Sequence, residues 1–179
     1  MITYCRCTET SELEQILALQ QQNLPQSLSE KERLNEGFVT VHHDFDLLKR
    51  MNDACPHTIA KDGDKVVGYA LSMHPKFGKE IEVLVPMFTE IDKAISQKKD
   101  YANYMVMGQV CIDRAYRKRG IFRKLYESMK EFVVPPFSCI ITEVDRKNER
   151  SLNAHLAIGF ETIYSYHFDG RDWELIAFS

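Results

Sequence analysis

A group of basic side chains surrounds a single glycine in the second half of the chain. Gly120 follows Arg117, Lys118 and Arg119, and Arg123 comes three residues later. Glycine lets the backbone approach a ligand without a Cβ atom in the way. The first turn of a helix adds amide groups and the positive end of the helix dipole. If a helix begins just after Gly120, this turn can bind an anionic group such as a pyrophosphate.

The residues on either side of this turn predict the two elements that such a site needs. Residues 105–112 are a dense apolar run that predicts a strand, and residues 121–132 place apolar side chains at helical spacing. Strand, turn and helix therefore follow one another within residues 109–129. A solvated basic loop before an ordinary amphipathic helix is the alternative, because one glycine among arginines does not specify a ligand. The P-loop and G-x-G-x-x-G nucleotide motifs are absent from the sequence.

The rest of the sequence predicts an alternation of strands and helices. Further strands are predicted at residues 2–7, 38–41, 57–61, 66–73, 139–144, 160–168 and 173–178, and further helices begin at Thr10 or Ser11, Ser29, Phe45, Ile81 and Glu149. Turns at Gly63 and Gly170 join neighbouring strands into hairpins. This order predicts a mixed α/β sheet in a single domain over residues 1–179.

Composition excludes several classes of partner. The formal charge of -3 and the pI near 6.1 give no basic footprint, so we expect neither nucleic acid nor a membrane surface as the main partner. No basic start precedes an apolar run, and no stretch approaches the roughly 20 apolar residues of a spanning helix. The five cysteines are an odd number without zinc-site spacing, which favours reduced thiols and no metal. We therefore expect a cytoplasmic protein.

Two segments in the second half of the chain resemble signatures of one family. Residues 117–122, RKRGIF, resemble the [QR]-x-x-G-x-[GA] acetyl-CoA motif of the GNAT acetyltransferase superfamily, and they follow an apolar strand as in that family. Residues 148–155, followed by Gly159 and Phe160, are similar to the second signature, an Asn that opens a helix ending in Gly-Phe. The resemblance implies an α+β fold, with a central, mostly antiparallel, twisted sheet of about seven strands flanked by helices.

The same resemblance implies acetyl-CoA as co-substrate and a set of residues that bind it. The strand 110–112 would offer its backbone to the pantetheine arm, the basic turn would hold the pyrophosphate, and Asn148 would hydrogen-bond the pantetheine. The implied cofactor-binding residues are Val110, Cys111, Ile112, Arg117, Lys118, Arg119, Gly120, Ile121, Phe122, Arg123, Asn148 and Ser151. For Asn148 a plain helix N-cap is the alternative. Phe122 departs from the motif, which has a small residue there.

The implied reaction is direct attack of an amine on the thioester, with the amine belonging to a small molecule, a peptide or a protein. His155 occupies the position where many family members carry a tyrosine proposed to protonate the leaving thiolate, and a packed helix residue is the alternative role. Glu143 is the first candidate for the base, and Glu82 the second. Cys111 has no activating partner in sequence, so no acyl-enzyme is expected.

Two other classes of function are compatible with the same residues. A CoA-binding or regulatory module without turnover would retain the basic turn, and a structural interaction domain would use the fold without CoA. The aromatic residues of the last predicted hairpin could form an edge between two copies of the chain, so we also predict a homodimer.

Overall fold

The computed structural model describes residues 1–24 and 43–179. The strands are β1 (Ile2–Arg6), β2 (Thr58–Asp62), β3 (Lys65–Met73), β4 (Tyr104–Ile112), β5 (Cys139–Asp145), β6 (Glu161–Phe168) and β7 (Arg171–Phe178). The α-helices of the described residues are α1 (Thr10–Gln22), α2 (Phe45–Ala54), α3 (Val85–Gln97), α4 (Ile121–Val133) and α5 (Glu149–Leu156). The helix predicted from Ser29 and the strand predicted at 38–41 lie outside the described residues.

The described strands form one mixed sheet of seven, in the order β1-β2-β3-β4-β5-β7-β6. Strands β4 and β5 are parallel, whereas the β1–β2, β2–β3, β5–β7 and β6–β7 pairs are antiparallel. Parallel neighbours need a crossover, and α4 supplies it between β4 and β5. The predicted α+β architecture is therefore confirmed.

The described residues divide into two compact units. The first consists of the described part of Met1–Ser72 together with Gly108–Phe132, and the second of Met73–Met107 together with Val133–Ser179. The first unit buries apolar side chains of α1, α2, β2, β3 and α4, including Leu13, Ile16, Leu48, Ile59, Tyr69, Ile121 and Leu125. The second buries Phe77, Ile91, Met105, Ile140, Ile141, Phe160, Leu175 and Ile176.

Helix α1 begins at Thr10, one residue earlier than an N-cap at Thr10 would place it. The predicted cap at Thr10 or Ser11 is wrong, because the N-cap is Glu9. The carboxylate of Glu12 accepts hydrogen bonds from the backbone nitrogens of Thr8 (2.9 Å) and Glu9 (3.1 Å). A carboxylate on the third helical residue can reach back in this way and does not need a hydroxyl at the cap.

Both predicted hairpins are present, and their turns explain why glycine is used. Gly63 has φ of 59° between β2 and β3, and Asp169 and Gly170 have φ of 50° and 69° between β6 and β7. In the second turn, the two consecutive residues with positive φ give a twist that matches that of antiparallel strands. The predicted helix from Ile81 is instead a 3-10 turn, Glu82–Leu84, followed by α3. No helix of the described residues has the length and apolar character needed to cross a membrane.

Candidate functional site

Strand β4 is paired with β5 over only part of its length. Within the described residues, the parallel ladder runs from Tyr104–Cys139 to Val106–Ile141. The next carbonyl, that of Met107, accepts a hydrogen bond of 3.0 Å from the hydroxyl of Thr142. A side chain therefore takes the place that a backbone amide would occupy if the ladder continued. The ladder stops before residues 110–112, the segment that the family resemblance implies would contact the pantetheine arm.

The side chains of residues 110–112 are used in packing. Cys111 is buried in the cluster that contains Leu13 and Tyr69, whereas Val110 and Ile112 pack on the opposite side of β4 beside Leu125. This alternation is the normal arrangement of a strand. Burial raises the pKa of the Cys111 thiol to about 11, so the thiol is protonated at neutral pH and is not an activated nucleophile. What these residues can offer a ligand is their backbone.

The basic turn has an unusual backbone conformation on both sides of Arg119. Lys118 has φ of 62° and Gly120 has φ of 77°, both in the left-handed region. The Gly120 carbonyl accepts a hydrogen bond of 3.2 Å from the amide of Lys124, so Gly120 lies at the start of α4. A Cβ atom built on Gly120 would meet no atom within 4 Å. Open space therefore lies beside Gly120 at the N-terminus of α4.

The four basic side chains of the turn do not have the same role. Lys118, Arg119 and Arg123 are exposed, and the Arg119 guanidinium lies 5.1 Å from the centre of the Tyr116 ring. Arg117 is directed inward. Its Nε donates to the Ile112 carbonyl at 3.1 Å, and its guanidinium also donates to Oδ1 of buried Asn23 at 2.8 Å. Arg117 therefore ties the turn to the end of α1, whereas Lys118, Arg119 and Arg123 lie at the surface of the turn.

Phe122, the bulky departure from the family motif, packs along α4. Its ring lies edge-on to the ring of Tyr126, with 5.1 Å between the ring centres. The Tyr126 side chain is fully buried, so this contact fixes Phe122 against the helix. The large residue is thus accommodated by packing within the first unit.

In the second unit, Asn148 caps helix α5. Its Oδ1 accepts a hydrogen bond of 3.1 Å from the backbone amide of Ser151. Asn148 is therefore a helix N-cap, the alternative role predicted from the sequence. The cap uses only the oxygen of the side-chain amide. The nitrogen of this exposed amide donates to no residue that the structure describes. Asn148 can cap the helix and still offer two N–H groups to a ligand.

His155 lies on α5, one turn after Ser151, and is buried. Its Nδ1 is 2.7 Å from the carbonyl oxygen of Ser151, and its ring lies edge-on to Phe160 with 5.1 Å between the ring centres. A carbonyl can only accept, so we assign the proton of the neutral ring to Nδ1. Burial lowers the pKa of His155, which favours this neutral form. A neutral ring with its proton already bonded to Ser151 is a poor acid.

Glu143 lies on β5 and is only partly buried. The Tyr166 hydroxyl donates a hydrogen bond to Oε2 of Glu143. Burial raises the pKa of the carboxyl group, and the hydrogen bond from Tyr166 opposes this shift. Glu82, the second candidate base, is exposed in the 3-10 turn before α3. Sequence reasoning missed Tyr166, because β6 contains a register shift between Thr162 and Tyr164 that no local pattern reveals.

The sequence and the fold both place this chain among known proteins. Residues 13–160 match the sequence profile of the Acetyltransferase (GNAT) family. The chain belongs to the GNAT acetyltransferase family. No curated protein is significantly similar to it in sequence.

Several solved structures share the GNAT fold with this chain. Arabidopsis thaliana NAA60 in complex with acetyl-CoA has a TM-score of 0.66 at 14% identity, over 99% of both chains. Ard1 from Thermoplasma volcanium has a TM-score of 0.61 at 10% identity, over 99% of this chain and 96% of its own. The ribosomal-protein-S18-alanine N-acetyltransferase from Escherichia coli has a TM-score of 0.57 at 15% identity, over 99% and 92%. Identities this low show the fold alone.

The expected site residues of this GNAT chain fall into two groups. Those of the strand, the basic turn and the start of α4 belong to the first unit, namely Val110, Cys111, Ile112, Arg117, Lys118, Arg119, Gly120, Ile121, Phe122 and Arg123. Those of β5 and α5 belong to the second unit, namely Glu143, Asn148, Ser151 and His155. Within the described residues, no three His, Cys, Asp or Glu side chains could together hold a metal ion.

Proposed function

We propose that this chain is an acetyl-CoA-dependent N-acetyltransferase that acts on an amine of a small molecule, a peptide or a protein. The observation that carries the proposal is the open space at Gly120, at the N-terminus of α4, beside three exposed cations. Helix N-termini of this kind bind phosphate groups through backbone amides and the helix dipole. Membership of the GNAT family specifies which phosphate-bearing molecule to test first.

The residues assigned to acetyl-CoA fit its chemical parts. The first-turn amides of α4 would bind the pyrophosphate, with Lys118, Arg119 and Arg123 neutralising its charge. The backbone of residues 110–112, beyond the end of the parallel ladder, would bind the pantetheine arm as an added strand would. In the second unit, the exposed Asn148 amide nitrogen is the donor that the family resemblance assigns to CoA. Arg117 is assigned to the folding of the turn, because its guanidinium is bonded to Ile112 and Asn23.

When bound, acetyl-CoA supplies an activated acyl group, and this chain would supply the proton acceptor. We assign that role to Glu143, because its carboxyl group is partly exposed and its ionised form is stabilised by the Tyr166 hydroxyl. His155 could act as an acid only as an imidazolium ion, which burial disfavours. We therefore assign His155 the packing role and not the role of the acid.

Binding and turnover are tested in two steps. We expect acetyl-CoA and CoA to raise the unfolding temperature, since a ligand at 100 times its Kd adds about 2.7 kcal/mol of stability. Release of the CoA thiol is then measured with a panel of small amines, peptides and proteins. Stabilisation without thiol release across the panel would favour a CoA-binding module. If neither compound stabilises the protein, both the N-acetyltransferase hypothesis and the CoA-binding-module hypothesis are refuted.

A further inference from the structure

Tyr166 and Glu143 lie on the same face of the sheet in the second unit. Tyr166 is opposite Trp173 on β7, and Glu143 is opposite Leu175, two residues further along the same strand. Opposite residues of an antiparallel pair share a face, as do residues two apart on one strand. The phenol therefore reaches across β7 to the carboxylate, which explains the hydrogen bond between side chains on strands that are not neighbours.

The hydrogen bond distinguishes the two oxygens of Glu143. Oε2 accepts the Tyr166 hydroxyl, whereas Oε1 accepts no hydrogen bond from any described residue. Because the side chain is only partly buried, Oε1 is accessible to a bound molecule. A carboxylate held through one oxygen cannot rotate freely about its last bond, so the direction of the other oxygen is set as well.

No cation is bonded to Glu143 within the part of the chain that the structure describes. The charged or titratable groups on its face are Cys139 and Asp145 on its own strand, Glu161, Tyr164 and Tyr166 on β6, Arg171 on β7, Tyr104 on β4, and Glu90, Asp92 and Lys93 on α3. Lys93 pairs with Glu90 at 2.6 Å. The Arg146–Glu174 ion pair, at 2.8 Å, belongs to the other face, because Glu174 is opposite Val144. Tyr166 is thus the group that stabilises ionised Glu143.

We propose that Tyr166 is a positioning residue for Glu143, holding Oε2 so that Oε1 is presented to the acceptor amine. The inference rests on the proposed function, in which the amine nitrogen bonds to the acetyl carbon. The carbon–sulfur bond breaks, the sulfur leaves with the bonding electron pair, and the proton of the amine nitrogen passes to Oε1. Tyr166 keeps its own proton, since burial and the adjacent carboxylate raise the pKa of its hydroxyl.

Loss of the Tyr166 hydroxyl should change the ionisation of Glu143 in a definite direction. Burial alone raises the pKa of Glu143, and the hydrogen bond lowers it. Tyr166→Phe removes the hydrogen bond that lowers the pKa. The Glu143 pKa should therefore rise, by about one pH unit for one hydrogen bond to a charged group. The acid limb of the kcat/KM profile moves to higher pH by the same amount, because activity requires the carboxylate.

The matched control is Tyr164→Phe. Tyr164 lies two residues away on β6, opposite Leu175 on the same face, and also loses only a hydroxyl group. The Glu143 carboxyl carbon is titrated by NMR in protein with ¹³C-labelled glutamate, with Glu143→Gln to assign its signal. We expect an upward shift of the titration midpoint in Tyr166→Phe and none in Tyr164→Phe. An unchanged midpoint in Tyr166→Phe, or equal shifts in both variants, would overturn the proposal.

The NMR titration needs no substrate, so it distinguishes failure of the positioning role from failure of the proposed acetyltransferase activity. If no amine is acetylated, the proposed function fails, and the titration alone decides whether Tyr166 controls the ionisation of Glu143. If amines are acetylated but Glu143→Gln retains the full rate, Glu143 is not the base and the positioning role is refuted. Support requires that the shift of the acid limb and the shift of the NMR midpoint agree.

Discussion

Gly120 combines a left-handed backbone with open space beyond its α-carbon. The φ of 77° disfavours any side chain, and the missing Cβ atom leaves the start of α4 accessible. Glycine also has no side chain with which to cap the helix, so the first-turn amides receive no N-cap bond from this position. One residue type thus serves the turn geometry and leaves the helix N-terminus open to an external anion.

At the residue scale, we predict that Gly120→Glu abolishes CoA binding while the protein still folds. The substituted side chain would place a Cβ and a carboxylate in the phosphate position, and we expect Kd to increase at least about tenfold. Left-handed strain should cost about 1 kcal/mol of stability. Binding is measured by calorimetry, and stability by urea unfolding.

Gly63→Glu is the control for this substitution. Gly63 has φ of 59° and likewise has nothing within 4 Å of an added Cβ, so it matches Gly120 in strain, space and added charge. Gly63 lies in the β2–β3 turn, so the CoA affinity of the Gly63→Glu variant should equal that of the wild type. Equal losses of affinity in the two variants would show that the phosphate is not bound at Gly120.

At the scale of elements, α4 and α5 begin in different ways. Gly120 directly precedes α4, whereas α5 is preceded by Asn148, whose side chain accepts a hydrogen bond from the amide of Ser151. The proposed function assigns the first end to a ligand, whereas the Asn148 side chain caps the second.

Two substitutions separate the observed cap of Asn148 from its proposed role in CoA binding. Asn148→Ala removes the cap and should cost about 1 kcal/mol of unfolding free energy, together with CoA affinity. Asn148→Asp retains an oxygen for the cap and adds a favourable charge at the helix N-terminus, so stability should be retained. It lacks the amide hydrogens, so CoA affinity should still fall. If Asn148→Asp binds CoA like the wild type, Asn148 is a cap only.

At the scale of the whole molecule, a buried histidine should make stability depend on pH. His57 has no exposed surface; its Nδ1 accepts the Ser72 amide at 3.1 Å, and its Nε2 lies 3.3 Å from the Leu48 carbonyl. Burial lowers its pKa from 6.5 to about 3. Above pH 6.5 the ring is neutral in both the folded and the unfolded chain. Between pH 6.5 and 3 the unfolded chain binds a proton that the folded one does not.

We therefore predict that the free energy of unfolding falls as pH decreases from 6.5, by roughly 1.4 kcal/mol per pH unit for this histidine. Urea unfolding at pH 4.5 to 7.5 measures the slope. His57→Gln should reduce the slope, because the substituted side chain does not bind a proton in this pH range. If His57→Gln does not fold, an NMR titration of the His57 ring in the wild-type protein tests the same prediction. A ring that titrates near pH 6.5 would refute the prediction.

The homodimer expected from the last hairpin stays a prediction. Strand β6 lies at one end of the strand order, and Phe168 at its end is 48% exposed. We expect sedimentation equilibrium to show a dimer that Phe168→Asp weakens and Val85→Asp does not. Val85 is similarly exposed, at 41%, but begins α3. A wild-type monomer at all concentrations would contradict the prediction.

The sequence by itself determined the strand, the glycine turn and the helix at residues 109–129, and the helix that begins after Asn148. These features depend on periodicity, on one glycine and on a cap, all set by residues within a few positions along the chain. The tertiary structure decided that Arg117 binds Asn23, 94 residues away, and that Tyr166 bonds to Glu143 across β7. The direction of a long side chain depends on partners that are distant in sequence. The register shift in β6 also changes which residues of β6 and β7 lie opposite each other.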